Sequence, residues 1–366
     1  MNILLVEPNF PIPAKSRNHS NFLPIGLLKI GAYHRSVGDN VILHRGNFLT
    51  KFKPDEIKIT SLFTYWSRQV WDSVSFYKTH YPDAKVQIGG IYASLMPEHA
   101  KKSGCDDVRV GLYMNGRAEE YEPAYDLVNV DYQIIHASRG CFRRCNFCGS
   151  WKIEPEVNYK KSIKNEIIKK KLIFYDNNLI ANPHIKDILL ELAEFRFPDR
   201  SCVSCESQSG LDGRLIIKDP EISILLKKAH FKNPRIAWDG PSKEWKKIKE
   251  QIQILKKAGF PSEEIFIFML FNHKLSYSEM KAKLDACRRW RVRVIDCRFR
   301  LLNSTYDGYN PRAKSQPEGE YYIHRGWTDK QVRSFRRAVR RQNIAIMLEL
   351  PNGRYIDGVE ERYVSI

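Results

Sequence analysis

Along the first 130 residues, short apolar runs alternate with stretches whose apolar positions recur every three or four residues. "NILLVE", "NVILH", "KITSLF", "KVQIGG" and "DVRVGL" have the first pattern and predict strands. "GLLKIGAYHRSVG", "VWDSVSFYKTHYP" and "MPEHAKKSG" have the second and predict the helices between them. Strands separated by helices predict an α/β domain over residues 1–130, built on a doubly wound, Rossmann-like parallel sheet.

A second series starts after Tyr132. Its expected strands are "QIIHAS", "KLIFYD", "SCVSCE", "RIAWD", "EIFIFML" and "VRVIDCRF". Helical spacing fills the gaps in "KKSIKNEIIKKK", "HIKDILLELAEF", "PEISILLKKAH", "SKEWKKIKEQIQILKKAG" and "YSEMKAKLDACRRW". Asn182 and Ser242 are expected N-caps, and Gly259 an expected C-cap. Six strand–helix units are too few for a closed eight-fold barrel. They predict a partial (β/α)6, TIM-like barrel over residues 131–300. Residues 301–366 form a basic C-terminal extension: a turn-rich loop, then a helix over "TDKQVRSFRRAVRRQN" capped by Thr328.

Composition narrows the class. With 43% apolar and 12% aromatic residues in 366 positions, the chain can bury a core and is not disordered. The start lacks the basic segment and cleavage site of a signal peptide, and no apolar run approaches membrane-spanning length. A soluble, cytoplasmic protein without membrane association is expected. In such a chain, eight cysteines point to metal or chemistry rather than to a disulfide framework.

Charge changes the picture again. The net charge is +18, and Lys281 to Arg341 carries 17 Lys and Arg against 6 Asp and Glu. An anionic partner, RNA or DNA, is expected, with Arg333, Arg337 and Arg341 on one helical stripe. The alternative is a solvated amphipathic helix that closes the open barrel.

The strongest chemical signal is "RGCFRRCNFCG", which places Cys141, Cys145 and Cys148 at C-x3-C-x2-C spacing. Thiolates hold iron–sulfur clusters, and three of them leave one coordination position open. A zinc site is the alternative, with His136, Cys105 or Cys205 as fourth ligand. Cys202 and Cys205 also spell C-x2-C. In a strand, positions three apart face opposite ways, so they are expected to pack rather than ligate. Cys105, Cys287 and Cys297 are isolated and expected to be structural.

C-x3-C-x-Φ-C, with Phe147 before the third cysteine, resembles the hallmark of the radical S-adenosylmethionine superfamily. The resemblance implies a 4Fe–4S cluster on Cys141, Cys145 and Cys148, and S-adenosylmethionine bound at the open iron. It implies reductive cleavage of that cofactor, abstraction of a substrate hydrogen, and a one-electron donor of flavodoxin or ferredoxin type. It also implies cofactor contacts from polar strand ends: Asp176, Asn178, Glu206, Gln208, Asp239 and Asn272, with Phe147 beside the cluster. "YDNN" stands where the family usually has Gly-Gly-Glu, which leaves the contact to the methionine amino group unassigned. Arg214 is a candidate carboxylate partner or an ordinary surface residue.

The front domain resembles the cobalamin-binding domain that precedes many such barrels, with "LPIG" before its first helix and "QIGG" at a later strand. The D-x-H-x-x-G motif is missing, and His19, the only histidine in the first loop, has the wrong context. Functional cobalamin is therefore not favoured. The expected function is a radical enzyme that modifies a nucleic acid or nucleotide. The alternatives are a cobalamin-dependent radical methyltransferase acting on a peptide or small metabolite, and a zinc-stabilised nucleic-acid-binding protein without catalysis.

Overall fold

The computed structural model describes residues 1–12 and 22–348. Its first strand, β1 (Asn2–Glu7), is buried from Ile3 to Glu7. Leu4 and Val6 enter one hydrophobic cluster, and Ile3 and Leu5 enter another. Successive side chains of a strand point to opposite faces, so both faces of this sheet are covered. That is the arrangement the uninterrupted run "ILLV" calls for.

In chain order there follow α1 (Ile25–Ser36), β2 (Asn40–Arg45), β3 (Glu56–Ser61) and α2 (Ser67–His80). Then come β4 (Lys85–Gly90), α3 (Ile91–Leu95), α4 (Pro97–Lys101) and β5 (Asp107–Val108). The five strands form one sheet of order β2-β1-β3-β4-β5, and every pairing is parallel. β4 ends on Gly90 at φ +100°, where a Cβ would come within 2.3 Å of the Ser61 carbonyl oxygen. The Gly-Gly of "QIGG" is thus a close backbone approach.

The next elements are β6 (Tyr132–Ile135), β7 (Ser138–Arg139), α5 (Ser150–Ile153), β8 (Asn158–Tyr159), β9 (Lys171–Phe174), α6 (Ile185–Glu194) and β10 (Ser204–Ser207). They are followed by α7 (Gly213–Lys218), α8 (Glu221–Lys228), β11 (Arg235–Ala237), α9 (Trp245–Lys257) and β12 (Phe266–Phe271). The series closes with α10 (Tyr277–Arg289), β13 (Arg293–Arg298) and α11 (Asp329–Met347). Two three-stranded sheets result, β10-β9-β6 and β11-β12-β13, instead of one continuous wall. β9–β10, β11–β12 and β12–β13 are parallel pairs. Just after β10, the Leu211 N–H donates to the Arg235 carbonyl at 2.6 Å, which bridges toward β11.

The chain divides into two compact units. The first takes residues 1–134, 139–158 and 300–309; the second takes 135–138, 159–299 and 310 onward. The cysteine loop therefore packs as part of the first unit, and β9 to β13 as part of the second.

Local chemistry explains most elements and some departures. α11 starts with a capping box: Thr328 Oγ1 accepts from the Gln331 N–H, and Gln331 Oε1 accepts from the Thr328 N–H. Gly259 follows α9 at φ +96°, as its C-cap role requires. The helix expected in "KKSIKNEIIKKK" is reduced to one 3-10 turn, Lys164–Glu166. Like charges four apart, such as Lys160 and Lys164, oppose a helix there, and Ser162 Oγ accepts from the Lys164 N–H to make a turn instead. Asn182 stands two residues ahead of the N-cap His184 of α6; its Oδ1 accepts from the His184 N–H at 2.8 Å, and its amide donates to the carbonyls of Ala137 and Lys160, both at 2.9 Å. Ser242 bonds Glu279 instead of capping α9. Cys202 lies ahead of β10, not within it. His19 lies outside the described residues. Among the described residues, no helix is long and apolar enough to cross a membrane.

Candidate functional site

The cysteine loop leaves β7 through Gly140, at φ +76°. A Cβ at Gly140 would lie 2.0 Å from the Glu156 carbonyl oxygen, so no larger residue fits. Glu154, just after α5, ties the two ends of the loop together. One oxygen accepts from Arg139 Nε and from the Gly140 N–H, each at 3.1 Å, and the other accepts from Arg139 Nη2. This planar, two-pronged pair is the geometry in which arginine holds a carboxylate most firmly. Within the loop, the Cys148 N–H and Trp151 Nε1 both donate to the Cys145 carbonyl, at 3.0 and 2.9 Å.

Cys141, Cys145 and Cys148 are half-buried cysteines outside any disulfide, and Phe147, next to Cys148 in the chain, is half-buried too. The other cysteines contrast with them. Cys105, Cys205 and Cys287 are buried, and burial pushes all three thiols up from their ordinary value. A thiol held protonated is a poor metal ligand, which argues against Cys105 or Cys205 as the fourth ligand of a zinc site. Among the described residues, no three side chains of His, Cys, Asp or Glu are gathered as a metal ion requires. Ligation would require the three loop thiols to turn toward one another.

In the second unit, the six polar strand-end residues divide evenly. Three are spent on the fold. Asp176 is fully buried and accepts from the Ala137 N–H, the Ser138 N–H and Ser138 Oγ, at 3.2, 2.5 and 2.7 Å. Burial outweighs these bonds and raises its pKa to about 6. Glu206 is buried in an ion pair with Arg235, which also donates to the Ser207 carbonyl. Asn272, at φ +56°, donates to the Tyr322 carbonyl at 2.8 Å and accepts from the His324 N–H at 2.9 Å. Asp176 and Asn272 hold neighbouring backbone, and Glu206 holds the Arg235 guanidinium.

The other three keep polar atoms in reserve. Asn178 Oδ1 and Gln208 Nε2 are buried and have no hydrogen-bond partner. Such atoms are costly unless something else fills the bond. Asp239 is reached by solvent while packed round by protein, and that desolvation pushes its carboxyl up despite Lys283 and Arg214 nearby. Arg214 itself pairs with Asp212 at 2.7 Å on the surface.

Several residues were not anticipated. Glu154 and Arg235 act as clamps. Lys283 is fully buried on α10, where its ammonium donates to the carbonyls of Trp238 and Gly240 at 2.6 and 3.1 Å. Burial lowers its pKa to about 8. Its place in the helical repeat, between Met280 and Cys287 on the buried face, was the only signal available. Arg333 departs from its expected role. It is 2% exposed and donates to Asp329, to the carbonyls of Asn310 and Ala313, and to Gln316. It braces a loop and cannot present its guanidinium to a phosphate. α11 lies along β13, where Asn343 accepts from the Val294 N–H and donates to the Val294 carbonyl, at 2.9 and 2.7 Å.

No protein-family model and no curated protein matches this chain. The donor chemistry is therefore the test of fit. Three half-buried cysteines within eight residues suit a cluster with one open position. The orphaned acceptor of Asn178 and donor of Gln208 suit a polar ligand at the ends of β9 and β10.

Proposed function

We propose that this chain is a radical S-adenosylmethionine enzyme whose 4Fe–4S cluster is held by Cys141, Cys145 and Cys148. The observation that carries the reading is the contrast among cysteines: three lie half-buried together in one short loop, and three others are buried singly elsewhere. The parallel strand order β2-β1-β3-β4-β5 supports a Rossmann-like front domain. The sequential order of β9 to β13 across two sheets supports a partial barrel.

Held by these three cysteines, such a cluster would supply an electron for reductive cleavage of S-adenosylmethionine. The chain's own residues hold and orient. Gly140 and Glu154 fix the ends of the cysteine loop, in which Phe147 directly precedes Cys148. Asp176 pins Ala137 and Ser138, the residues that lead into the loop. Asn178 offers an acceptor and Gln208 a donor, while the Asp239 carboxylate can accept from ribose hydroxyls. The proposed substrate is a nucleic acid, supported by the net charge of +18.

Anaerobic reconstitution with iron and sulfide, then a reductant and S-adenosylmethionine, tests the reading. The expected result is a brown protein with about four irons that releases 5′-deoxyadenosine. Stoichiometric zinc with no cleavage of S-adenosylmethionine overturns it.

A further inference from the structure

We propose that the groove between α10 and α11 binds the backbone of single-stranded RNA. The inference rests on the proposed nucleic-acid substrate and is independent of the cluster. The groove is a cavity of about 1100 Å³ within the second unit. Lys281, Arg288, Arg289, Arg291, Arg337 and Arg341 line it, and all six are exposed. The single carboxylate in the lining is Asp285, 3.3 Å from Arg288. So many like charges around one concavity repel one another, and a polyanion relieves that repulsion by releasing its own counterions.

The spacing suits a linear polyanion. Arg337 and Arg341 lie four apart on α11, and Lys281, Asp285 and Arg288 share one face of α10. Residues four apart on a helix stand about 6 Å from each other, so the cations form two rows along the groove. The floor is apolar, with Leu284, Ala345 and Ile346 in the lining. Unpaired bases can rest on such a floor, whereas a duplex turns its base faces inward.

A second, independent observation points to a ligand. Gln342 lies in the lining, is only 8% exposed, and its Nε2 has no partner. A buried donor of this kind is destabilising unless an acceptor arrives. Phosphate, ribose and base oxygens all supply one.

Asp285 selects RNA. Arg288 already pairs with one oxygen of this carboxylate, and the other oxygen can accept from a further donor. The ribose 2′-hydroxyl donates, and deoxyribose has no equivalent.

The experiment uses the full chain and fluorescence anisotropy with a labelled single-stranded RNA, between about 50 and 200 mM salt. Log affinity is expected to fall with log salt at about −0.7 for each phosphate neutralised. Replacing Lys281, Arg289 and Arg337 together by Ala should weaken binding by at least about tenfold and flatten the slope by about 2. Replacing Lys247 and Lys249, exposed on α9 and outside the groove, should change neither. Gln342→Leu should weaken binding about threefold to tenfold with no loss of stability. DNA of the same sequence should bind more weakly, and Asp285→Ala should erase that difference.

If the wild-type chain binds neither RNA nor DNA at low salt, the nucleic-acid reading itself fails. If it binds RNA steeply with salt and the triple groove variant binds equally well, this inference alone fails. Equal affinity for DNA, or for polyglutamate, overturns the assignment to RNA.

Discussion

The cysteine loop draws its candidate ligands from eight consecutive residues, and one carboxylate, Glu154, holds its ends. The strand ends of the second unit draw theirs from separate segments between Asp176 and Asn272. In the loop, spacing already tells which side chains act together. At the strand ends it does not, because half of the polar side chains are already bonded to backbone or, for Glu206, to Arg235. Among the strand-end residues, similar types thus serve as mortar in one place and keep unbonded atoms in another. The polar atoms left unbonded, on Asn178 and Gln208, are the ones that separate the two.

The comparison breaks or sharpens under substitution. The largest effect is expected at the loop. Cys145→Ala should lower reconstituted iron from about four per chain to less than about one and abolish 5′-deoxyadenosine formation. Cys205→Ala, a buried thiol of the second unit, should keep its iron and lose about 1–2 kcal/mol of stability instead. Iron retained by the first variant and lost by the second would reverse the assignment.

Asp176→Ala should cost about 3 kcal/mol, read by urea unfolding, because three backbone and side-chain donors lose their acceptor at once. The pH dependence sharpens this. The native carboxyl titrates near 6, above its ordinary 3.8, so the folded state binds this proton more tightly. Its contribution is fully present below about pH 4 and is lost as pH rises through about 6. A shift of about two units corresponds to roughly 3 kcal/mol. The fall in wild-type stability across that window should be shallower by this amount in Asp176→Ala.

Gly140→Ala should lose about 2 kcal/mol through positive φ and the clash with Glu156, with weakened retention of iron. A variant as stable as wild type, with full iron, would show that the loop is not built on this turn. The smallest effects on stability are expected at the reserve groups. Asn178→Ala and Gln208→Ala should change it by less than about 1 kcal/mol. Each should raise KM for S-adenosylmethionine about threefold to tenfold. A large loss of stability with unchanged KM would place these two with Asp176 as mortar.

Much of the architecture is local and was legible. The uninterrupted apolar runs of β1 and β12 are short enough to specify strands rather than buried helices. The Thr328 to Gln331 spacing specifies the start of α11, because a capping box closes within one turn. The segment from Lys160 to Lys171 misled, since apolar spacing alone does not register repulsion between lysines one turn apart.

The sequence by itself determined the spacing of three thiols, the parallel α/β series and the excess of cations. Tertiary structure alone decided how the polar residues are used. Ser138 lies 38 residues from Asp176, and Tyr322 lies 50 from Asn272. Arg333 and Arg337 are one turn apart on the same helix, yet one is buried among loop carbonyls and the other lines an open groove. Spacing and periodicity are properties of neighbours along the chain. Whether a buried polar atom finds its partner depends on segments brought together only by folding, and that decides which groups remain to meet a ligand.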